Sequence, residues 1–262
     1  MKFKQGSVSD RTSKSAPGVV LVPSYWRVTR SATYGFIAAL PLLVLYEVMI
    51  LAANRATGMP VRVGAEVWIK QLLSLVGQIG AFGLGLVVFA IGTGILIRER
   101  RNNLPIKPSF FARMIGESAV YALLTGLLVA GIVGRILMAA PTSPQQEPLS
   151  LFTQLALSIG AGLYEELLFR VALVGGLFWL FKQLNVPRQG AYVVAALVGA
   201  AVFSWVHYIG PLGDAFTVAS FLFRFVFGLA LNAIFLARGF GVAAWTHALY
   251  DVYVVLGLFR LL

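Results

Sequence analysis

Apolar stretches of about twenty residues or more recur along this chain, and nothing constrains its fold more. Residues 34–53, 72–97, 112–139, 149–184, 191–208, 216–237 and 242–262 are runs of aliphatic, aromatic and small residues with few charges. A helix needs about 20 such residues to cross a hydrocarbon core. Inside lipid every backbone N–H and C=O must be paired within the protein, so helices and closed barrels are the only spanning structures. Barrel strands would read as segments of about ten residues with alternating character, and the chain has no such alternation. The expectation is an all-α fold, a multi-pass transmembrane helical bundle of about seven to eight membrane helices. Seven follow if each run is one span. Eight follow if the fourth, too long for one upright span, breaks near Gly175 and Gly176. Composition agrees, with 12% charged residues against about 25% in soluble domains and a mean hydropathy of +0.84.

The net charge of +11 is ordered along the chain. Lys2, Lys4, Arg11, Lys14, Arg27 and Arg30 precede the first apolar run, and Arg98, Arg100, Arg101 and Lys107 follow the second. That is the positive-inside pattern, suited to anionic lipid headgroups and placing the N-terminus in the cytoplasm. It argues for membrane lipids as partners and against nucleic acid. Residues 1–18 read as a disordered basic cytoplasmic tail. They do not resemble a cleavable signal peptide, because the apolar run that follows is of full spanning length. Residues 19–262 read as a single membrane-embedded domain, entered through an interfacial segment with Tyr25 and Trp26. The absence of cysteine excludes a thiol nucleophile, a disulfide frame and a thiolate metal site.

Against this background Glu165 and Glu166 stand out. A charge near the middle of a membrane helix costs about 2.5–3.5 kcal/mol on insertion scales, so two carboxylates and Arg170 within six residues call for a use. Glu166 and Arg170 are spaced i, i+4 in the favourable order, which predicts an ion pair on one face. Glu165 is rotated by about 100° from its neighbour and meets a different partner. The chain has two histidines, His207 and His247, both in apolar runs. The turn Asn185-Val186-Pro187 separates Glu165 and His207 symmetrically, so two antiparallel helices would hold them at one depth, where a carboxylate and an imidazole can exchange a proton. His247 and Asp251 are again i, i+4. Counting from Arg238 puts His247 about 13 Å deep and Glu165 and His207 about 30 Å deep, so tilt, a broken fourth helix or a re-entrant segment must bring them together. Glu47, Glu117, Arg135 and Arg224 read as structural charges, with Glu117 and Arg224 the best candidates to support the site. Phe221, Phe223, Phe225 and Phe227 read as lipid-facing or core.

Glu165-Glu166-Leu167-Leu168-Phe169-Arg170 resembles the Glu-Glu-x-x-x-Arg motif of the CPBP family of CAAX prenyl-proteases and bacteriocin-processing, Abi-type proteins. Phe203-Ser204-Trp205-Val206-His207 resembles its Phe-x-x-x-His motif, and His247-Ala248-Leu249-Tyr250-Asp251 its His-x-x-x-Asn/Asp motif. The three occur in family order on separate apolar segments, and the resemblance runs from about residue 149 to 262. It implies an intramembrane glutamic endopeptidase whose protease core is at about 149–262. Catalytic residues implied by the resemblance are Glu165 as general base acting on water with His207, and His247 and Asp251 at the oxyanion; Glu166 and Arg170 would order the site. Position 251 is Asp where the prenyl-protein members carry Asn. An ionised Asp cannot donate to an oxyanion, so Asp251 either fixes the tautomer of His247 or stays protonated. The implied substrate is a peptide or protein, lipidated or membrane-anchored substrates included. The implied location is a bacterial cytoplasmic membrane.

Three other functions fit parts of the pattern. A zinc-dependent membrane protease could use the same Glu and His residues with one position open for water, although His-Glu-x-x-His is absent. No cofactor is expected otherwise. A proton-coupled transporter also places carboxylates and histidines at mid-membrane, but it usually shows two related halves, and the ionisable cluster here lies in the second half. A non-catalytic scaffold or immunity protein would not need the glutamates and histidines intact.

Overall fold

The computed structural model describes residues 24–58, 60–75, 84–99, 105–136, 149–210 and 213–260. The tail expected at residues 1–18 lies outside them, as does the middle of the second apolar run. The regular elements of the described residues are all helices, with no strand among them. In order they form α1 (Tyr25–Thr29), α2 (Ala32–Thr57), α3 (Gly64–Ser74), α4 (Leu84–Glu99), α5 (Pro108–Ile136), α6 (Leu151–Glu165), α7 (Gly175–Gln183), α8 (Arg188–Val206), α9 (Val218–Arg238) and α10 (Phe240–Val255). Between α6 and α7 the helix continues as a π-helical stretch, Glu166–Val174. Hydroxyl caps open three helices: Ser31 accepts from the Tyr34 amide, Ser150 from Thr153 and Thr217 from Ser220. Each satisfies an amide that has no partner within its helix.

Among the described residues four helices, at Ala32–Thr57, Pro108–Ile132, Arg188–Val206 and Val218–Arg238, are long and apolar enough to cross a membrane. Seven to eight spans are not confirmed. At 16 residues, α10 is about 24 Å long, short of a hydrocarbon core about 30 Å thick. The long fourth run is not broken at Gly175, whose φ of −62° and ψ of −43° are helical. Its irregularity comes earlier, in the π-helical stretch that begins at Glu166. Large apolar side chains point outward on α2 and α8, among them Val44, Val48, Val193 and Leu197. Leu42, Tyr46 and Ile50 are fully buried on the other face of α2. Such a helix is apolar all round, as lipid on one side and protein on the other require.

Lipid is as apolar as leucine, so helices in a membrane associate through close packing at small residues. The central helix α10 packs mainly on α6, α5 and α2. A Cβ added at Gly162 of α6 would lie 2.5 Å from the backbone nitrogen and Cβ of Ala248 and 2.6 Å from the carbonyl oxygen of Ala244. On α8 a Cβ at Gly199 would meet Val174 Cγ2 at 2.3 Å, so this glycine seats the end of the π-helical stretch. Gly162→Ala is therefore a sign test. A Gly→Ala change inside a helix ordinarily favours the helix by about 0.8–1 kcal/mol. Here it must push α6 away from a neighbour's backbone, and overpacking costs about 1–3 kcal/mol. A lowered thermal midpoint in detergent is expected; a raised one would show that the close crossing does not matter.

Two buried polar clusters tie the bundle together away from the histidines. Arg238, at the end of α9, is 4% exposed. Its Nε lies 2.5 Å from Glu117 Oε1, its Nη2 donates to Thr29 Oγ1 at 2.9 Å, and its guanidinium stacks on Trp26 at 4.2 Å. Tyr25 donates to Glu117 at 2.7 Å. Burial, then the Glu117 carboxylate, pushes the Tyr25 phenol up to about 12, so it remains a donor at any working pH. The second cluster centres on Glu66, which is fully buried at the start of α3. It accepts from Tyr46 and pairs with Lys70 and Arg62, and Arg62 also reaches Glu47 at 3.0 Å. Desolvation works against the charge on Arg62, but Glu66 and Glu47 outweigh it and raise its pKa.

Candidate active site

The crossing of α6 and α10 at Gly162 sets the site one turn further along. There Glu165 and Glu166 of the α6 run come beside His247 of α10. His247 Nδ1 lies 2.7 Å from Glu166 Oε1. A carboxylate oxygen accepts, so Nδ1 carries the proton. That turns Nε2 towards Glu165 Oε2 at 3.9 Å and Asp251 Oδ2 at 3.6 Å. Both distances exceed a direct hydrogen bond and lie within Coulombic reach.

The sequence-predicted pair of Glu166 and Arg170 is present. Arg170 Nη1 is 2.9 Å from Glu166 Oε1, and the two side chains are 1% and 0% exposed. The contact lies off the N–H direction, since neither Nη1 nor Nε of Arg170 has a hydrogen-bond partner among the described residues. The guanidinium is held instead by the Phe203 ring, 4.5 Å away, and by a long contact from Nη2 to the Gly228 carbonyl at 3.5 Å. Glu166 Oε1 thus receives both His247 and Arg170, while Oε2 has no hydrogen-bond partner among the described residues. Glu165 points the other way, as the rotation between adjacent helical positions requires. Its side chain keeps 15% of its exposure and lines a cavity of about 520 Å³ together with His207, His247, Asp251 and Arg224.

His207 sits at the end of α8, and its Nδ1 is 2.7 Å from the Phe203 carbonyl. A carbonyl can only accept, so Nδ1 bears the proton and Nε2 has a free lone pair. The expectation from counting is met in that Glu165 and His207 line one cavity. It fails in the pairing: the imidazole within 4.0 Å of Glu165 is that of His247. The packing closes the depth difference counted from Arg238, bringing His247 Nε2 within 3.9 Å of Glu165 Oε2. Arg238 itself is buried beneath α1.

The other charges divide. Arg224 lines the cavity and is held by Asp214, Ser220 and Tyr208. Glu117 belongs to the Arg238 cluster and Glu47 to the Glu66 cluster; the Arg135 side chain lies outside what is described. Of the α9 aromatics, Phe223 lines the cavity and Phe227 packs on His247 with ring centroids 5.2 Å apart. Phe227 and Tyr250 were not legible as cavity walls. Their signal is positional: Tyr250 precedes Asp251, and Phe227 lies three residues after Arg224. Among the described residues no three His, Asp or Glu side chains converge in an arrangement that could hold a metal ion.

Residues 147–253 match the family model described as type II CAAX prenyl endopeptidase Rce1-like. Over that segment, less than half of the chain, the protein is similar to this family. The matched segment runs from just before α6 into α10 and includes all three motifs. The resemblance read from those motifs and this match agree on the CPBP family. The match implies a protease, and so a peptide or protein substrate. With its apolar helices, the chain is an integral membrane protein. No curated protein and no solved structure matches the chain.

Proposed function

We propose that the chain is an intramembrane endopeptidase of the glutamic type, and the observation that carries this reading is the setting of His247 among Glu165, Glu166 and Asp251 at the wall of the cavity. Glu165 is the one of the two glutamates that faces the cavity and is not tied to Arg170. It takes a proton from a water molecule as the water oxygen attacks the scissile carbonyl carbon. The C–O bond forms, the carbonyl electrons move to oxygen, and the oxyanion meets a proton donor. As the oxyanion collapses, the C–N bond breaks and Glu165 returns the proton to the departing amine. Acid and base are then one group used twice, so no net charge builds up in the cavity.

His247 is the donor to the oxyanion in this scheme. Glu166 holds Nδ1–H, which fixes the ring, and the two further carboxylates near Nε2 favour a proton there. Asp251 acts through His247, an accepting role that an ionised Asp can play. His207 presents Nε2 as an acceptor from the water or the departing amine. Donors fixed before the reaction are worth most where water is scarce. The substrate is a peptide held at the membrane by its own apolar segment or by a lipid, prenylated tails being one such class. The N-terminal basic cluster favours the cytoplasm for that end, and a bacterial cytoplasmic membrane is the setting that fits the reading.

Purified protein in proteoliposomes, given fluorogenic membrane peptides with and without a strong zinc chelator, tests the reading. Cleavage is expected in both conditions. Loss of cleavage in chelator, recovered on adding zinc, would replace the glutamic mechanism with a metalloprotease. No cleavage of prenylated or unmodified membrane peptides would turn the case towards a transporter or scaffold.

A further inference from the structure

A second cavity, of about 460 Å³, lies on the far side of the α6 run from the catalytic one. It is a groove lined by Phe36, Leu40 and Leu43 of α2, Ile91 of α4, and Leu167 and Val171 of the π-helical stretch. Its one charged lining residue is Arg30, at the mouth between α1 and α2. The same arginine lines a shallow basin with Ser24, Trp26 and Arg27. Apolar groove and basic basin therefore form one continuous feature with Arg30 at the join.

We propose that this feature binds one anionic phospholipid, its phosphate on Arg27 and Arg30 and one acyl chain in the groove. Three observations choose this occupant. Neither arginine is in an ion pair among the described residues. The nearby carboxylate of Glu99 accepts from the Thr33 amide at 2.8 Å and the Ala32 amide at 3.3 Å, capping α2, and it makes no ion pair with either arginine among the described residues. Arg30 is positioned at the end of α9, donating to the Leu236 carbonyl at 3.0 Å.

Length points to the same occupant. From Ala32 to Leu43 the groove follows α2 for about 16 Å, close to half of a hydrocarbon core about 30 Å thick. An acyl chain whose headgroup sits at the basin would end where the groove ends. Trp26, half exposed beside the basin, is the residue type that belongs at headgroup depth. Because Leu167 and Val171 flank Glu166 and Arg170 in sequence, the bound chain braces the π-helical stretch from outside.

The inference does not depend on the proposed peptidase activity, and neither does its test. The protein is reconstituted in an equal mixture of phosphatidylglycerol and phosphatidylcholine, extracted in mild detergent and weighed by native mass spectrometry. One retained lipid is expected, with phosphatidylglycerol favoured about thirtyfold if each arginine near the headgroup contributes its usual share. Arg27→Gln with Arg30→Gln should bring the ratio near parity while a lipid is still held. Leu40→Trp, which fills the groove, should lose both lipids. Parity in the unaltered protein overturns the proposal without recourse to any variant. So does an anionic preference that survives the double substitution, or a mass showing a second copy of the chain in place of lipid.

Discussion

Glu165→Gln is expected to lower kcat/KM by about 10²–10⁴-fold, the usual contribution of a positioned general base, while leaving the thermal midpoint close to that of the unaltered protein. The two halves of this prediction come from different features. Gln has the shape of Glu and can touch the same water, but it cannot take a proton from it. Stability is spared because Glu165 faces the cavity and its contacts to His247 are longer than hydrogen bonds. Single-turnover cleavage in proteoliposomes, paired with a thermal melt in detergent, reads both. Retention of more than about a tenth of the activity would remove Glu165 from the chemistry. The cavity would then have to find its base in His207, whose Nε2 lone pair is free.

The fold class was legible because the apolar runs leave a chain few alternatives in lipid. The ion pair of Glu166 and Arg170 was legible because spacing of i, i+4 is a local property. What spacing cannot carry is the offset between helices. Pairing Glu165 with His207 by equal depth put both on one cavity but could not say which imidazole lies nearest, and that one is His247. The true offset is set where backbones touch, at Gly162 against Ala244 and Ala248. That pattern was present in the sequence: two alanines spaced i, i+4 around His247, and a glycine three residues before Glu165. Small residues at such spacing mark a close helix crossing. The π-helical stretch had no such signal. Glu66 was passed over because it lies just ahead of an apolar run, where a charge normally reaches water; Tyr46, Arg62 and Lys70 close over it instead.

Arg170→Met should be the most damaging substitution for stability, at about 3–5 kcal/mol, because it leaves the buried Glu166 carboxylate with His247 as its remaining polar contact among the described residues. The pair itself need not be stabilising. Replacing both members of a buried pair by uncharged groups of similar size is often neutral or better. Glu166→Gln combined with Arg170→Met is therefore expected to melt close to the unaltered protein, since the Gln carbonyl can still accept from His247 Nδ1. Activity should not return with stability. In the double variant His247 keeps a neutral partner in place of the carboxylate that favours its second proton, so the donor proposed for the oxyanion is weakened. A hydrogen bond to a charged group is worth about 1.5–3 kcal/mol, which sets the expected loss at about 10- to 150-fold in kcat/KM. The pair would then be kept for the charge it presents to His247. A double variant that recovers both stability and full activity would make it a packing device alone. A single Arg170→Met variant that melts within about 1 kcal/mol of the unaltered protein would mean that Glu166 is not held as an isolated buried charge.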